Sequence, residues 1–269
     1  MKRTYQEGIA LLSALLVLVL ASVLAVGMIS SQHIDIRRAQ HIMTYQQALQ
    51  WTLGAERQAL QLLSEGLQQQ GNLPWDDCVS PWIPVSVSAM QMHVQIQDLH
   101  CRFNINNLAS GDGNVEAAFT AFLQSILMQE AEASISAFQL TQDIKGWLSP
   151  DTEQLDYRLM NPPYLSGNQL MAHSSELRLV RGVTTPVWRA MAPYITALPE
   201  TTVPINHAKA PAVLTNAFDQ TLLMPDDQRS RFFRLALHAG LGDGHVHLCT
   251  ILDVQEQKVL YREQLACGL

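Results

Sequence analysis

A chain of 269 residues, 48% hydrophobic and 15% charged, holds enough apolar material for one good-sized core or two small ones. The formal net charge is −7, and no lysine or arginine cluster exists beyond Arg37 and Arg38. Nucleic acid is therefore excluded as an expected partner, because phosphate-backbone binders carry a basic footprint.

The chain opens with a short polar head, MKRTYQEG, that ends in Gly8. The run opened by Ile9 and closed by Ile29 carries no charge, and its only hydroxyls are Ser13 and Ser22. At about 1.5 Å rise per residue, roughly 20 apolar residues cross a ~30 Å hydrocarbon core, so this run is long enough to span a membrane. A secretory signal would break after a shorter apolar region and offer a small-residue cleavage site. Here the pattern instead turns amphipathic without a break: Ile42, Tyr45, Leu49, Leu53, Leu60, Leu63 and Leu67 recur at helical steps, with Glu56 interrupting the stripe. Gly71 and Pro74 supply the stop. The spacing thus predicts one helix over about residues 9 to 70, roughly 90 Å long. Lys2 and Arg3 favour a cytoplasmic N-terminus and an outward body, with Arg37 and Arg38 opposing.

Cys78, Cys101, Cys249 and Cys267 form two sequence-local pairs, which in an exported chain reads as disulfides. Three pairings are open; Cys78 with Cys101 and Cys249 with Cys267 is favoured because each closes a short loop within one β region. No CxxC spacing supports zinc.

Residues 72–82 are rich in turn formers and read as a loop. Met90, Met92, Val94 and Ile96 then alternate with polar residues, the pattern of a half-buried strand. In the segment that follows, Phe103, Ile105 and Leu108 point inward between polar asparagines. From about Val115 the texture is helical, through VEAAFTAFLQSILMQEAEASISAF, LTQDIKGWL, SSELRLV, TPVWRAMAPYI and PAVLTNAF. From Ser230 the period returns to two, and three runs separated by GLGDG and by Gln255-Glu256 read as an antiparallel meander. A helical block thus interrupts a sheet whose parts lie on both sides of it. The expected fold class is α+β, a long N-terminal helix packed on an antiparallel sheet with an inserted all-α domain.

Three constellations invite chemistry and have simpler readings. His245, His247 and Cys249 share a strand face, yet Cys249 is expected in a disulfide, so no metal site is assigned. Gly111-Asp112-Gly113-Asn114 lacks the twelve-residue calcium-loop pattern and reads as a turn with Asn114 as helix cap. His173, Ser174 and Ser175 have no GxSxG, HExxH or P-loop beside them; Ser174 is expected to cap the helix near Glu176, and no catalytic residue is assigned. Trp147 and Trp188 sit at helical spacing among apolar residues and read as core.

A leader ending in Gly8, an apolar helix starting at Ile9 and a disulfide-bearing sheet together resemble the type IV pilins and type II secretion pseudopilins. FNINNL at 103–108, PPY at 162–164, SELRLVRGVT at 175–184, PYITALP at 193–199, PIN at 204–206 and SRFFRLAL at 230–237 resemble, in that order, the family of large minor pseudopilins called type II secretion system protein K. The resemblance implies a pilin-like α/β body with an α-helical insertion. On that reading residues 1–8 are a leader, 9–29 the membrane part of the helix, 30–107 and 229–269 the α/β body, and 108–228 the insert. It implies cleavage between Gly8 and Ile9 by the prepilin peptidase, methylation of Ile9, a single pass through the bacterial inner membrane, and a periplasmic C-terminal domain. The implied partners are minor pseudopilins of the I and J types in a tip complex, and the major pseudopilin.

Most pilins have a glutamate at the fifth position after the cut, where this chain has Ser13. An unpaired carboxylate in lipid is costly, so a subunit with no neighbour above it has reason to lack one. Family members often carry a calcium-associated acidic insertion. Here SPDTEQLDY is short, and Asp151, Glu153 and Asp156 give three carboxylates where calcium takes about six to eight oxygens. Calcium is possible, and no cofactor is assigned. PINHAKAP also departs from the family's usual INVNTA. The rival readings are a minor pilin of a type IV pilus, which usually lacks such an insert, and a signal-anchored periplasmic enzyme, which predicts an active-site constellation and no cleavage.

Overall fold

The computed structural model describes residues 6–70, 75–87, 90–128, 136–150, 155–225, 228–242 and 244–267. Gly71, Pro74, Asp151 and Glu153, with the side chain of Asp156, lie outside the described residues.

One unbroken helix, α1 (Gln6–Gln70), dominates the shape. At about 1.5 Å per residue it is nearly 100 Å long. Every residue from 11 to 29 is exposed, and α1 is the one helix among the described residues long and apolar enough to cross a membrane. Its outer half is different. Ala48, Leu49, Thr52, Glu56, Leu63, Ser64 and Leu67 are buried at three- and four-residue steps. Ile42 is not part of that stripe; it lies beyond the reach of the sheet and is 62% exposed.

The stripe covers one face of a five-stranded antiparallel sheet built from β1 (Ile83–Val87), β2 (Met90–Asp98), β5 (Phe232–Leu241), β6 (Gly244–Asp253) and β7 (Lys258–Glu263), in the order β1-β2-β5-β6-β7. Met92 opposes Ala239 and Ile96 opposes Leu235, so strands that flank the insertion are immediate neighbours. Met90, Met92, Val94, Ile96, Phe233, Leu235, Leu237, Ala239, Val246 and Leu248 form the core under α1, following the alternation of the sequence. β1 was not expected. It is short, lies at an edge and contains Pro84, which an edge tolerates.

Between β2 and β5 lies the inserted unit. It contains β3 (Phe103–Asn104), α2 (Gly113–Leu127), α3 (Ala137–Leu148), α4 (Thr185–Met191), β4 (Ile195–Thr196) and α5 (Ala212–Ala217), with short 3-10 turns between them. Its own core gathers Phe103, Ile105, Phe119, Phe122, Leu140, Ile144, Trp147, Met191 and Phe218. Phe103 stacks between Phe119 and Phe218 at 4.9 and 4.8 Å. The unit also holds a two-residue parallel pairing of β3 with β4, too short for alternation to reveal. Trp147 is buried edge-on to Tyr157 and leaves no room beyond Gly167, where an added Cβ would meet the indole nitrogen at 2.6 Å.

Two caps differ from expectation. Gly111, at φ 77°, closes the preceding 3-10 turn, which leaves Asp112 at the helix boundary; its carboxylate accepts from the Asn114 amide at 2.8 Å. At 174–179 the cap is His173, not Ser174. Its Nδ1 accepts from the Ser175 amide at 3.2 Å, while Glu176 accepts from the His173 amide at 3.0 Å, a reciprocal box in which an imidazole replaces the usual hydroxyl.

Candidate functional site

α1 carries two regions of interest, neither of them a pocket. The first is the uncovered apolar half of α1. Ser13 and Ile29 are exposed on it. Ser22 donates to the Leu18 carbonyl at 2.7 Å, so its hydroxyl is satisfied within the helix and leaves no unpaired polar group on this face. Gly8 and Ile9 lie in the first turns of α1.

The second is the clamp that fixes the outer half of α1 to the head. Glu56, read from sequence as an interruption, sits at the centre of the buried stripe and is 1% exposed. Its Oε2 accepts from Arg262 Nε at 2.9 Å and from Thr250 Oγ1 at 2.7 Å, and its Oε1 from Arg262 Nη2 at 2.5 Å. Thr250 and Arg262 are direct cross-strand partners on β6 and β7. One carboxylate therefore pins the helix to two strands with a bidentate arginine fork. Tyr45 bonds Gln264 at 2.9 Å, Gln257 bonds Ser64 at 2.9 Å, and Arg229 donates to the Leu67 and Gln68 carbonyls near the end of α1.

A polar seam joins the sheet to the insert. Arg231 forks onto Asp253 at 2.9 and 2.7 Å and reaches Glu200 at 2.7 Å. Asp98 caps the His100 amide and accepts from Ser230. Arg102 donates to the carbonyls of Ala192 and Ile195, and burial beside Arg234 pushes its guanidinium down to about 9, still charged at neutral pH. Leu99, Leu198, Val203, Phe232 and Ile251 form a small core behind these groups, on the sheet face opposite α1. That explains why the first half of β5 is buried on both faces.

The asparagines of FNINNL, expected between inward-facing apolar residues on a polar side, are themselves fully buried. Asn104 accepts from the Leu198 amide at 2.9 Å, Asn107 accepts from and donates to Val203 at 3.0 and 2.8 Å, and Asn106 binds Met171 and Leu198. They stand in for strand partners along residues 196–203. The only signal in the sequence was their density in a segment that otherwise reads as core.

Disulfides Cys78–Cys101 and Cys249–Cys267 tie the segment before β1 to the seam and the C-terminal segment to β6. With Cys249 so engaged, it does not join His245 and His247 in a metal site. Among the described residues no three His, Cys, Asp or Glu side chains converge on one point as they stand. His173 does approach Ser175 Oγ at 2.7 Å, but its ring stacks on Tyr261 at 4.9 Å, so it serves as helix cap and seam contact.

His100 carries a pH prediction. Its Nε2 accepts from the Arg231 amide at 3.1 Å, so Nδ1 carries the proton toward the Pro204 carbonyl at 2.9 Å, and both nitrogens are used by the neutral ring. Burial lowers its proton affinity against the pull of Asp98 and Glu200. A base held below its unfolded value contributes stability above about pH 6.5 that is lost as pH falls through that value toward the depressed one. Denaturant midpoints should drop between pH 7.5 and 5.5, and His100→Gln should flatten that slope while lowering the pH 7.5 midpoint.

An uncovered apolar helix that docks its outer half on an antiparallel sheet, with a largely helical unit inserted between neighbouring strands, defines a pilin-like assembly subunit. The family model described as type II secretion system (T2SS), protein K matches residues 101–200. Type II secretion system protein K of Aeromonas hydrophila is 30% identical over 228 residues, covering 75% of this chain and 66% of that protein. The Pseudomonas aeruginosa protein is 28% identical over 231 residues, covering 78% and 68%. The chain thus spans about two thirds of the length of these relatives. A chain in the crystal structure of the GspK-GspI-GspJ complex of enterotoxigenic Escherichia coli shares the fold, with TM-score 0.71 and 21% identity over 85% of this chain and 99% of that one. The chain belongs to the type II secretion system protein K family.

Proposed function

We propose that this chain is a minor pseudopilin at the tip of the type II secretion pseudopilus, which helps to initiate and cap assembly for export of folded proteins. The observation that carries the reading is α1: every residue from 11 to 29 is exposed and apolar or hydroxyl-bearing, below a head that belongs to the protein K family. In this reading residues 1–8 are removed by the prepilin peptidase after Gly8 and Ile9 is methylated. The span from Ile9 to Ile29 crosses the inner membrane once with the head in the periplasm, and then serves as the helix that packs laterally in the filament. The partners are minor pseudopilins of the I and J types, as in the complex that names the structural relative, together with the major pseudopilin. Ser13 fits a subunit with nothing above it, since a carboxylate there would lack a neighbouring amino terminus to neutralise. The role is structural rather than catalytic.

The test is the intact mass of the membrane form from cells with an active prepilin peptidase, combined with co-purification. A chain beginning at methylated Ile9 that co-purifies with the I- and J-type proteins is expected, and Gly8→Val should leave the leader in place and abolish secretion. An uncut wild-type chain would instead favour a signal-anchored protein.

A further inference from the structure

Directly paired residues of an antiparallel sheet point to the same face, with Cβ atoms about 4.5–5.5 Å apart. On the face of this sheet opposite α1, His93 of β2 pairs with His238 of β5, and His238 pairs with His247 of β6. Three imidazoles therefore stand on one transverse line across three strands. His245, two residues before His247, points to the same face. The insert covers the other end of this face through Ile251 and Tyr261, but not this end: His93, His245 and His247 are exposed and His238 is half-buried.

The row is organised around its middle member. Trp82 lies against the His238 ring at 4.6 Å with a 37° tilt, and His247 meets it edge-on at 4.5 Å and 88°. An indole over the ring face restricts the imidazole without covering its in-plane nitrogens. Among the described residues, no ring nitrogen of these four histidines is occupied by a hydrogen bond, whereas the rings of His100 and His173 are both engaged. A row of imidazole nitrogens free of protein partners among the described residues offers the donors that a borderline divalent transition metal prefers, not those of calcium or magnesium.

We infer that His93, His238 and His247 form a surface site for a divalent ion of the zinc class, bound through three imidazole nitrogens with the remaining position open to water. Zinc holds nitrogen ligands at about 2.0–2.1 Å and accepts a three-nitrogen set plus water. The rings do not converge on one point as they stand, so binding requires rotation about side-chain torsions; the exposed rings of His93 and His247 make such moves on the ps–ns scale and would turn toward His238, which Trp82 holds. The consequence is mechanical. β2 precedes the insertion and β5 and β6 follow it, so a bound ion would cross-link the two halves of the sheet that the insert separates.

The experiment uses the full chain in detergent without a polyhistidine tag, with Zn2+ titrated in competition with a chromophoric chelator. One Zn2+ per chain is expected. Loss of even an outer hydrogen-bond partner of a metal ligand costs about tenfold in affinity. His238→Gln and His247→Gln should each weaken binding at least that much, while His207→Gln, in the insert, leaves it unchanged. His247 is exposed, so the zinc-free thermal midpoint of His247→Gln should stay at the wild-type value, separating loss of a ligand from loss of fold. Absence of stoichiometric binding, or binding that survives His238→Gln unchanged, would overturn the assignment and leave the row as a solvated face.

Discussion

Asn106→Ala is expected to destabilise the chain by at least about 3 kcal/mol, as much as truncation of a buried apolar residue of the insert. Asn106 is 0% exposed. Its Nδ2 donates to the carbonyls of Met171 and Leu198 at 2.9 and 2.7 Å, and its Oδ1 accepts from the Met171 amide at 2.9 Å. Truncation leaves three backbone groups without partners in a place that water does not reach, and each such group costs about 1–3 kcal/mol. Filling the space does not help. Asn106→Leu keeps the branched shape with more bulk but leaves the same three groups unpaired, and Asn106→Asp sets a carboxylate against two carbonyls. All three substitutions should lower the denaturant midpoint at unchanged slope. A loss below about 1 kcal/mol for Asn106→Ala would mean that residues 196–203 are held without it. The expected loss extends past the insert, because Leu198 and Val203 pack against Phe232 and Ile251 of the sheet, so loosening that segment loosens the seam.

What the sequence disclosed divides along physical lines. The long helix was legible because lipid-length apolarity and a 3.6 period are properties of the chain itself. β2 and the first half of β6 were legible because one face packs against α1 while much of the other meets solvent, and alternation records that difference; β5 alternates in sequence although its first half is buried on both faces. β1 was not, since a five-residue edge strand containing a proline resembles the loop before it. The asparagines were misread because polarity normally marks a surface. Here the insert turns too tightly for regular strands, and amide side chains replace the missing backbone partners. The caps were misplaced by one or two residues for a related reason: Gly111 and His173 decide where their helices begin, and composition does not weight an imidazole as a cap. The seam needed both halves of the chain. Arg231, Asp98, His100 and Glu200 meet only after β2 and β5 become neighbours across the insertion.

Glu56 gives the second large effect, and its form is an asymmetry. Arg262→Leu should cost about 3–5 kcal/mol, because it leaves a carboxylate that is 1% exposed with Thr250 as its remaining side-chain partner. Glu56→Leu should cost distinctly less, since the abandoned Arg262 side chain is 41% exposed and can turn its guanidinium to water. The double substitution Glu56→Leu with Arg262→Leu should then recover much of what Arg262→Leu alone loses, because no charge is left buried and two leucines extend the apolar contact of α1 with the sheet. A double-mutant cycle on denaturant midpoints reads this coupling directly. Equal losses for the two single substitutions would show that Glu56 reaches solvent when its partner is removed, and the clamp would then be a surface pair of small value. The seated carboxylate has a structural corollary. An apolar stripe alone lets a helix slide or rotate on a sheet at little cost, whereas one buried ion pair admits a single register. Glu56 thus sets the angle and height at which the uncovered half of α1 leaves the head, the quantity on which lateral packing in a filament depends in the role proposed above. The double variant should therefore be stable yet assemble less well, and co-purification with the I- and J-type proteins measures that separately from folding.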